Sequence, residues 1–411
     1  MPSARPRGSK MSGSGAPPQA LSDPAAARVR IPLRRVGREW TRIGLTGFGG
    51  PPAHIALLRQ LLVEREQWMD AEAFQDANAA CGLLPGPAST QLAIFCAYRV
   101  GGPAGALVGG LGFILPAVVS ILLLSLLFLE HAPPLWVRGA GAGAGAAVAA
   151  VAIQAARGLA TPSFARVRQD RSRIGRWLVY IAISIAAAVL IGPYLVLVLL
   201  GCGLFERVAQ HRPPAALANA VAPFIDSFAA LVARGGIGAL AWTALKVGAL
   251  SFGGGFVIVP LMQGDAVHAY HWMTNARFLD AVALGQITPG PVVATVAAVG
   301  YAAHGIAGWA IAAIVAFAPS FLFILVGAGR FERLRASPGA RAFLDGAGPA
   351  AIGAIIGAAV TLAIALHEVW QFGVLAAAAV ALLTAKRGVV QTLIGAGLAG
   401  VAAALAGAPM P

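Results

Sequence analysis

Four interruptions of apolar sequence carry the residue types that could hold a charged solute. Pro85-Gly86-Pro87 and Pro289-Gly290-Pro291 form one pair, and the runs Phe48-Gly49-Gly50 and Phe252-Gly253-Gly254-Gly255 form another. Proline and glycine inside a bilayer free backbone groups that lipid cannot satisfy. Such breaks therefore survive only where protein or a water-filled cavity surrounds them. In Pro-Gly-Pro one helix ends before the first proline and the next starts after the second. The N–H groups near Ala88, Ser89, Thr90 and Gln91, and near Val292 to Thr295, then lie at a helix N-terminus. Its open donors and partial positive charge suit an anion. The glycine runs offer a second set of closely approaching backbone donors. The competing reading is four packing kinks without a ligand; their recurrence at matched positions favours a site.

Several side chains join this set. Arg42 and Lys246 stand at equivalent places near the start of apolar segments, where a cation is costly and marks function by default. The rival account is that both snorkel to the interface; Lys246 lies deeper and favours function. Asp76 and Asp280 are a second matched pair, suited to pairing with the cations, relaying protons or capping a helix. Capping is favoured because each follows a loop by only a few residues. His54 and Arg99 have Ile258 and Ala303 in the corresponding places, which marks either a one-sided site or, for Arg99 above all, a surface residue. Gln91 and Gln286 can bond a ligand oxygen, as can Thr288 and Thr295. No P-loop, metal-ligand cluster or nucleophile elbow is written in the chain, so neither an ATP-driven pump nor an enzyme is expected, and no cofactor.

These residues belong to a unit written twice. Arg42 and Lys246, Phe48 and Phe252, Trp68 and Trp272, Phe74 and Phe278, and Pro85 and Pro289 are each 204 positions apart. The chain has 411 residues, 58% hydrophobic and 11% charged, against roughly 25% charged in soluble domains. The expected fold is therefore an all-α polytopic membrane protein of two homologous halves, with about 10–12 transmembrane or re-entrant helices. The first copy reads as Trp40–Leu62, Phe74–Tyr98, Pro103–Leu129, Gly139–Ala156 and Trp177–Phe205, the last as one long helix or two short ones. The second reads as Ile237–Met262, Phe278–Tyr301, Gly305–Val326, Gly346–Leu366 and Val369–Ala406. Residues 1–35 are expected to be a disordered cytoplasmic tail, 36–208 the first repeat, 209–236 a linker and 237–411 the second repeat.

The net charge of +14 does not signal nucleic acid, because the basic groups sit in short clusters beside apolar segments. Arg157 to Arg176 holds six arginines against Asp170, the strongest cytoplasmic marker. The loop after the third segment is near neutral in copy one (Glu130, Arg138) and basic in copy two (Arg330 to Arg341), while the loop after the fourth behaves oppositely. Equivalent loops on opposite sides point to inverted repeats, whereas an even number of spans per half would demand a parallel pair. Cys81, Cys96 and Cys202 lack a metal-site spacing and read as small apolar residues.

Gly-Leu-Thr-Gly-Phe-Gly-Gly-Pro-Pro-Ala-His-Ile with Leu-Pro-Gly-Pro-Ala-Ser-Thr-Gln in copy one resembles the chromate ion transporter family in its long, two-domain form. So does Gly-Ala-Leu-Ser-Phe-Gly-Gly-Gly with Gln-Ile-Thr-Pro-Gly-Pro in copy two. The resemblance covers roughly Trp40 to Ala406. It implies a multi-pass protein of the bacterial inner membrane, with a homodimer as one possible assembly, that exports chromate and confers resistance, sulfate being a chemical look-alike. A carrier for another solute on the same repeat, or a non-transporting membrane protein, stays open.

Overall fold

The computed structural model describes residues 31–82, 84–129, 133–191, 195–210, 236–251, 257–327 and 337–411. Among these the regular elements are all helical. The first copy holds α1 (Leu33–Thr46), α2 (Pro51–Arg59, widening into a π-helical turn at Gln60–Arg65), α3 (Ala71–Cys81), α4 (Ala88–Phe128), α5 (Leu135–Val167), α6 (Arg171–Leu190) and α7 (Leu195–Gln210). The second holds α8 (Ile237–Leu250), α9 (Ile258–Gln263, with a π-helical turn at Gly264–Ala269), α10 (Asn275–Ile287), α11 (Thr295–Gly327), α12 (Pro338–Ile364), α13 (Val369–Ala379) and α14 (Val389–Leu405). The π-helical turns at Gln60–Arg65 and Gly264–Ala269 also obey the 204-residue offset.

The first two apolar segments of each copy do not span. In copy one α1 and α2 run antiparallel, tied by Arg35–Glu66 at 2.5 Å and by Arg65–Glu39, so they form a re-entrant hairpin whose tip is the glycine break. A second hairpin joins α3 to the first limb of α4 through Pro-Gly-Pro. Gly49, Gly50, Gly86 and Gly290 take φ of +100°, +74°, +116° and +99°, a backbone region that glycine enters without a Cβ penalty. At Gly102 (φ +68°) α4 folds back on itself, and Gly105 and Gly109 then pack on Ala97. Only the second limb, Pro103 to Phe128, crosses; at 1.5 Å per residue it is roughly 39 Å long. α11 folds back likewise at His304–Gly305, where Gly300 meets Gly308 and Ala312.

The copies are inverted. Trp309 Nε1 donates to Val118 O at 2.9 Å, while Gly110 packs on Phe321, so the crossing limbs of α4 and α11 run antiparallel. The copies also exchange partners: α5 packs on α13 and α14, and α12 packs on α6 and α7. Small residues allow it, as expected for Gly139–Ala156. A Cβ on Gly143 would lie 2.2 Å from Ala396 O, and one on Gly400 would lie 2.0 Å from Gly139 O.

Among the described residues, five helices are long and apolar enough to cross a membrane. Trp177–Phe205 resolves into two helices, α6 and α7. Helix α1 starts at Leu33, inside the stretch expected to be tail, because Val36 and Trp40 bury one face of it on α4. Residues 1–30, the bulk of the 209–236 linker, and the loop residues 130–132 and 328–336 lie outside the described residues.

Following the helices, Arg34, Arg38, Arg99, Arg168, Arg171 and Arg341 fall on one face, and Arg138, Arg277, His367 and Glu368 on the other. The positive-inside rule assigns the arginine-rich face to the cytoplasm. Cys81, Cys96 and Cys202 are buried, so an introduced cysteine reports alone. Arg168→Cys is expected to resist a membrane-impermeant maleimide added outside cells, while His367→Cys is expected to react. The reverse pattern would overturn the orientation.

Candidate functional site

The breaks among the described residues come together across the repeats. Gly290 N donates to Gly47 O at 3.0 Å, joining the Pro-Gly-Pro tip of copy two to the glycine break of copy one. On the matching side, a Cβ on Gly86 would lie 3.0 Å from Gly248 O, so the Pro-Gly-Pro tip of copy one rests on the end of α8. Hairpins entering from opposite faces thus meet tip to tip. Gly253, Gly254 and Gly255, expected to contribute donors, lie outside the described residues.

His54, fully buried, organises the first copy's two tips. Its Nε2 lies 2.9 Å from Gly47 O and its Nδ1 lies 3.2 Å from Ser89 Oγ. Its ring also stands edge-on to Phe113 with centroids 5.0 Å apart. A carbonyl only accepts, so Nε2 carries the proton and Nδ1 accepts from the Ser89 hydroxyl. Ser89 opens α4, where the first helical bond runs from Gln91 N to Pro87 O at 3.0 Å. The N–H groups of Ala88, Ser89 and Thr90 precede it and face the break as a helix N-terminus does.

Buried polar atoms crowd this point. Gln91 Nε2 folds back to Pro85 O at 2.7 Å, leaving its Oε1 without a partner among the described residues. Thr90 Oγ1, Ser251 Oγ and Gln286 Nε2 are in the same condition. Each unmade bond costs about 1–3 kcal/mol, and their concentration beside helix breaks fits a polar ligand. Copy two is less open. Thr288 Oγ1 donates to Gly285 O at 3.3 Å and Thr295 Oγ1 to Val292 O at 2.7 Å, so both hydroxyl protons are committed locally. The turn Val292–Ala294 that follows Pro291 is 3-10 rather than α.

The matched cations part ways. Arg42 lies on the exposed face of α1. Lys246 is buried and its Nζ lies 2.6 Å from Asp265 Oδ2, which also accepts from Thr243 Oγ1 at 2.6 Å. Lys246 therefore has an internal counter-ion. Sequence reasoning missed Asp265, which stands on the second π-helical turn and matches Leu61 in copy one. Copy one builds a tie of opposite polarity, Glu39 on α1 to Arg65 on its own π-helical turn.

The capping role expected of Asp76 and Asp280 is corrected. Asp70 caps α3 by accepting from Ala73 N at 2.7 Å, and Thr274 caps α10 by accepting from Arg277 N at 3.3 Å. These stand six residues earlier, where a side chain reaches the free N–H groups. Asp280 instead lines a cavity of about 500 Å³ on the arginine-poor face, with Arg138, Thr274, Arg277 and Gln371. A groove of about 440 Å³ shares Asp280 and Phe128 with it and reaches Ile287, next to the second Pro-Gly-Pro tip. Arg99 is a surface residue, its guanidinium 6.0 Å from the Phe95 ring centroid.

The chain matches the chromate transporter family over residues 34–206 and 238–401. It is 34% identical to the chromate transport protein of Cupriavidus metallidurans over 342 residues, 80% of this chain and 82% of that one. It is 30% identical to the chromate transport protein of Pseudomonas aeruginosa over 413 residues, 93% and 96% of the two chains. An uncharacterized transporter of Methanocaldococcus jannaschii is 28% identical over 318 residues. No solved structure matches. The chain belongs to the chromate transporter family, a family of transporters rather than enzymes.

Two outcomes test the geometry. Gly86→Leu and Gly290→Leu are expected to abolish transport while protein still reaches the membrane. Each places a branched side chain at positive φ against Gly248 O or Ala117; normal flux in both would return the breaks to mere packing. Lys246→Gln alone is expected to deplete folded protein, since an uncompensated buried carboxylate costs about 3–5 kcal/mol. Lys246→Gln with Asp265→Asn should restore both folding, read by thermal melting, and transport. A well-folded double variant without dianion flux would support Lys246 as a site residue.

Proposed function

We propose that this member of the chromate transporter family moves chromate out of the bacterial cytoplasm across the inner membrane. The observation that supports this best is the meeting of inverted re-entrant hairpins at breaks rich in unpaired donors. The substrate is a tetrahedral oxyanion dianion, with sulfate as its close analogue. Its oxygens take the N–H groups of Ala88, Ser89 and Thr90, with Gln286 and the Thr90 hydroxyl as side-chain donors. Gly49 and Gly50, Pro85 to Pro87 and Pro289 to Pro291 shape the tips that hold it. Arg42 serves as an outlying cation on the cytoplasmic approach, and Thr288 and Thr295 line the exit side.

The driving force is sufficient without another ion. At an inside-negative potential of about 150 mV, a dianion gains roughly 7 kcal/mol on leaving, because each charge contributes about 2.3 kcal/mol per 100 mV. That sustains a gradient near five decades, enough for resistance. The arrangement of two hairpins per face around a central point supports alternating access by rocking of one repeat against the other.

Flux in proteoliposomes tests the reading, with chromate, sulfate, molybdate and phosphate compared under an imposed potential. Chromate and sulfate are expected to move fastest and to respond to the sign of the potential. Preference for phosphate would assign another anion to the same site, and the absence of flux for all four would remove the transport reading.

A further inference from the structure

His54 does more than hold a hairpin together. Its Nε2–H is committed to Gly47 O, so in the neutral ring Nδ1 draws the Ser89 hydroxyl proton to itself. Ser89 then turns lone pairs, not a proton, toward the break at the start of α4. That is the wrong polarity for an anion. Protonating Nδ1 reverses it: the ring donates to Ser89 Oγ, and the Ser89 O–H is released to donate toward the break. Resting on the anion-carrier reading above, we propose that His54 is a positioning residue that links proton uptake to anion binding through Ser89, so that each bound dianion brings one proton onto Nδ1.

The surroundings permit this link. The imidazole is fully buried and Ser89 is 3% exposed, so a charged ring there lacks water and needs an anion nearby. The elements packed against α2 are α1, α3 and α4. Their charged groups are Glu39, committed to Arg65; Arg34, Arg35, Arg38 and Arg42, exposed on α1; Glu72 and Asp76 on α3; and Arg99, exposed far along the first limb of α4. On its own helix α2 carries Arg59, 3.6 Å from Glu64. The ring's contacts are Gly47 O, Ser89 Oγ and Phe113, none of them charged. From the opposing repeat, the tip at Gly290 brings backbone, and Lys246 is matched by Asp265. A dianion at the α4 N-terminus is then the partner that makes the imidazolium stable, and linkage makes the effect reciprocal. Copy two has Ile258 in this place and Val293 opposite Ser89, so the link is built once per molecule.

The test is proton uptake on anion binding by the purified full-length protein. It is read by titration calorimetry with sulfate, which keeps both charges through the neutral range, in two buffers of different ionisation heat. Wild type is expected to take up close to one proton per sulfate on the alkaline side of the transition. Its affinity should fall up to about tenfold per pH unit as pH rises through it. His54→Gln retains an amide donor for Gly47 O but cannot titrate, and should bind sulfate without proton uptake. Ser89→Ala keeps the His54–Gly47 clamp and removes the relay; it should bind severalfold more weakly and lose the proton coupling. Wild-type binding without proton uptake, or full coupling in Ser89→Ala, would overturn the proposal while leaving anion transport intact. Absence of both sulfate binding and sulfate flux in wild type would instead strike the underlying reading.

Discussion

The structure depends on how interrupted helices satisfy their backbone in a place without water. A break near the middle of a bilayer leaves N–H and C=O groups that lipid cannot answer. Here they answer one another across the repeats, Gly290 N to Gly47 O, and they borrow side chains, Gln91 to Pro85 O and His54 to Gly47 O. Inversion makes this possible, because a tip descending from one face meets its counterpart ascending from the other. The interlocked helices α5 and α12 hold that meeting in place, each gripped by the other copy's closing hairpin. Neither repeat completes its packing alone.

Charge is handled by the same economy. Each copy ties its first half-helix to its π-helical turn with an ion pair, Glu39–Arg65 in one and Lys246–Asp265 in the other, and the signs are opposite. The buried pair Lys246–Asp265 is thereby neutralised inside the protein, as low dielectric demands. Among the described residues, the unpartnered polar atoms beside the breaks are hydroxyls and amides, on Thr90, Gln91, Ser251 and Gln286. On the function proposed above, such groups would offer a dianion several moderate donors instead of one fixed cation that would hold it too tightly to release.

Much of this was legible in the chain. The constant 204-residue offset, the paired breaks and the opposed loop charges disclosed an inverted duplication. The glycines at Gly49, Gly50, Gly86 and Gly290 all take the positive φ that their type suggests. Four features were not legible, each for a physical reason. Asp265 stands 19 residues from Lys246 on a π-helical turn, whose altered periodicity hides it from helical spacing, and Leu61 in copy one gave no echo. Asp70 and Thr274 cap α3 and α10 in place of Asp76 and Asp280, because capping is decided by one residue's distance from free N–H groups. The fold-backs at Gly102 and Gly305 fall within sequence apolar enough to read as separate spans. Which repeat grips which is set by glycine-lined contacts far apart in the chain, and local pattern carries no trace of that.

The contact between tips also bears on leakage. Gly47 O accepts from both Gly290 N and His54, so separating the opposed hairpins strands at least one donor at membrane depth, at about 1–3 kcal/mol for each group left bare. An oxyanion entering the gap offers acceptor oxygens to those donors, and separation then costs least when the solute is present. On the function proposed above, the same backbone donor would serve the carbonyl when the tips are closed and the anion when they part. A carrier built this way needs no dedicated lid. On that reading the gate is the Gly290 N to Gly47 O hydrogen bond that joins the two breaks.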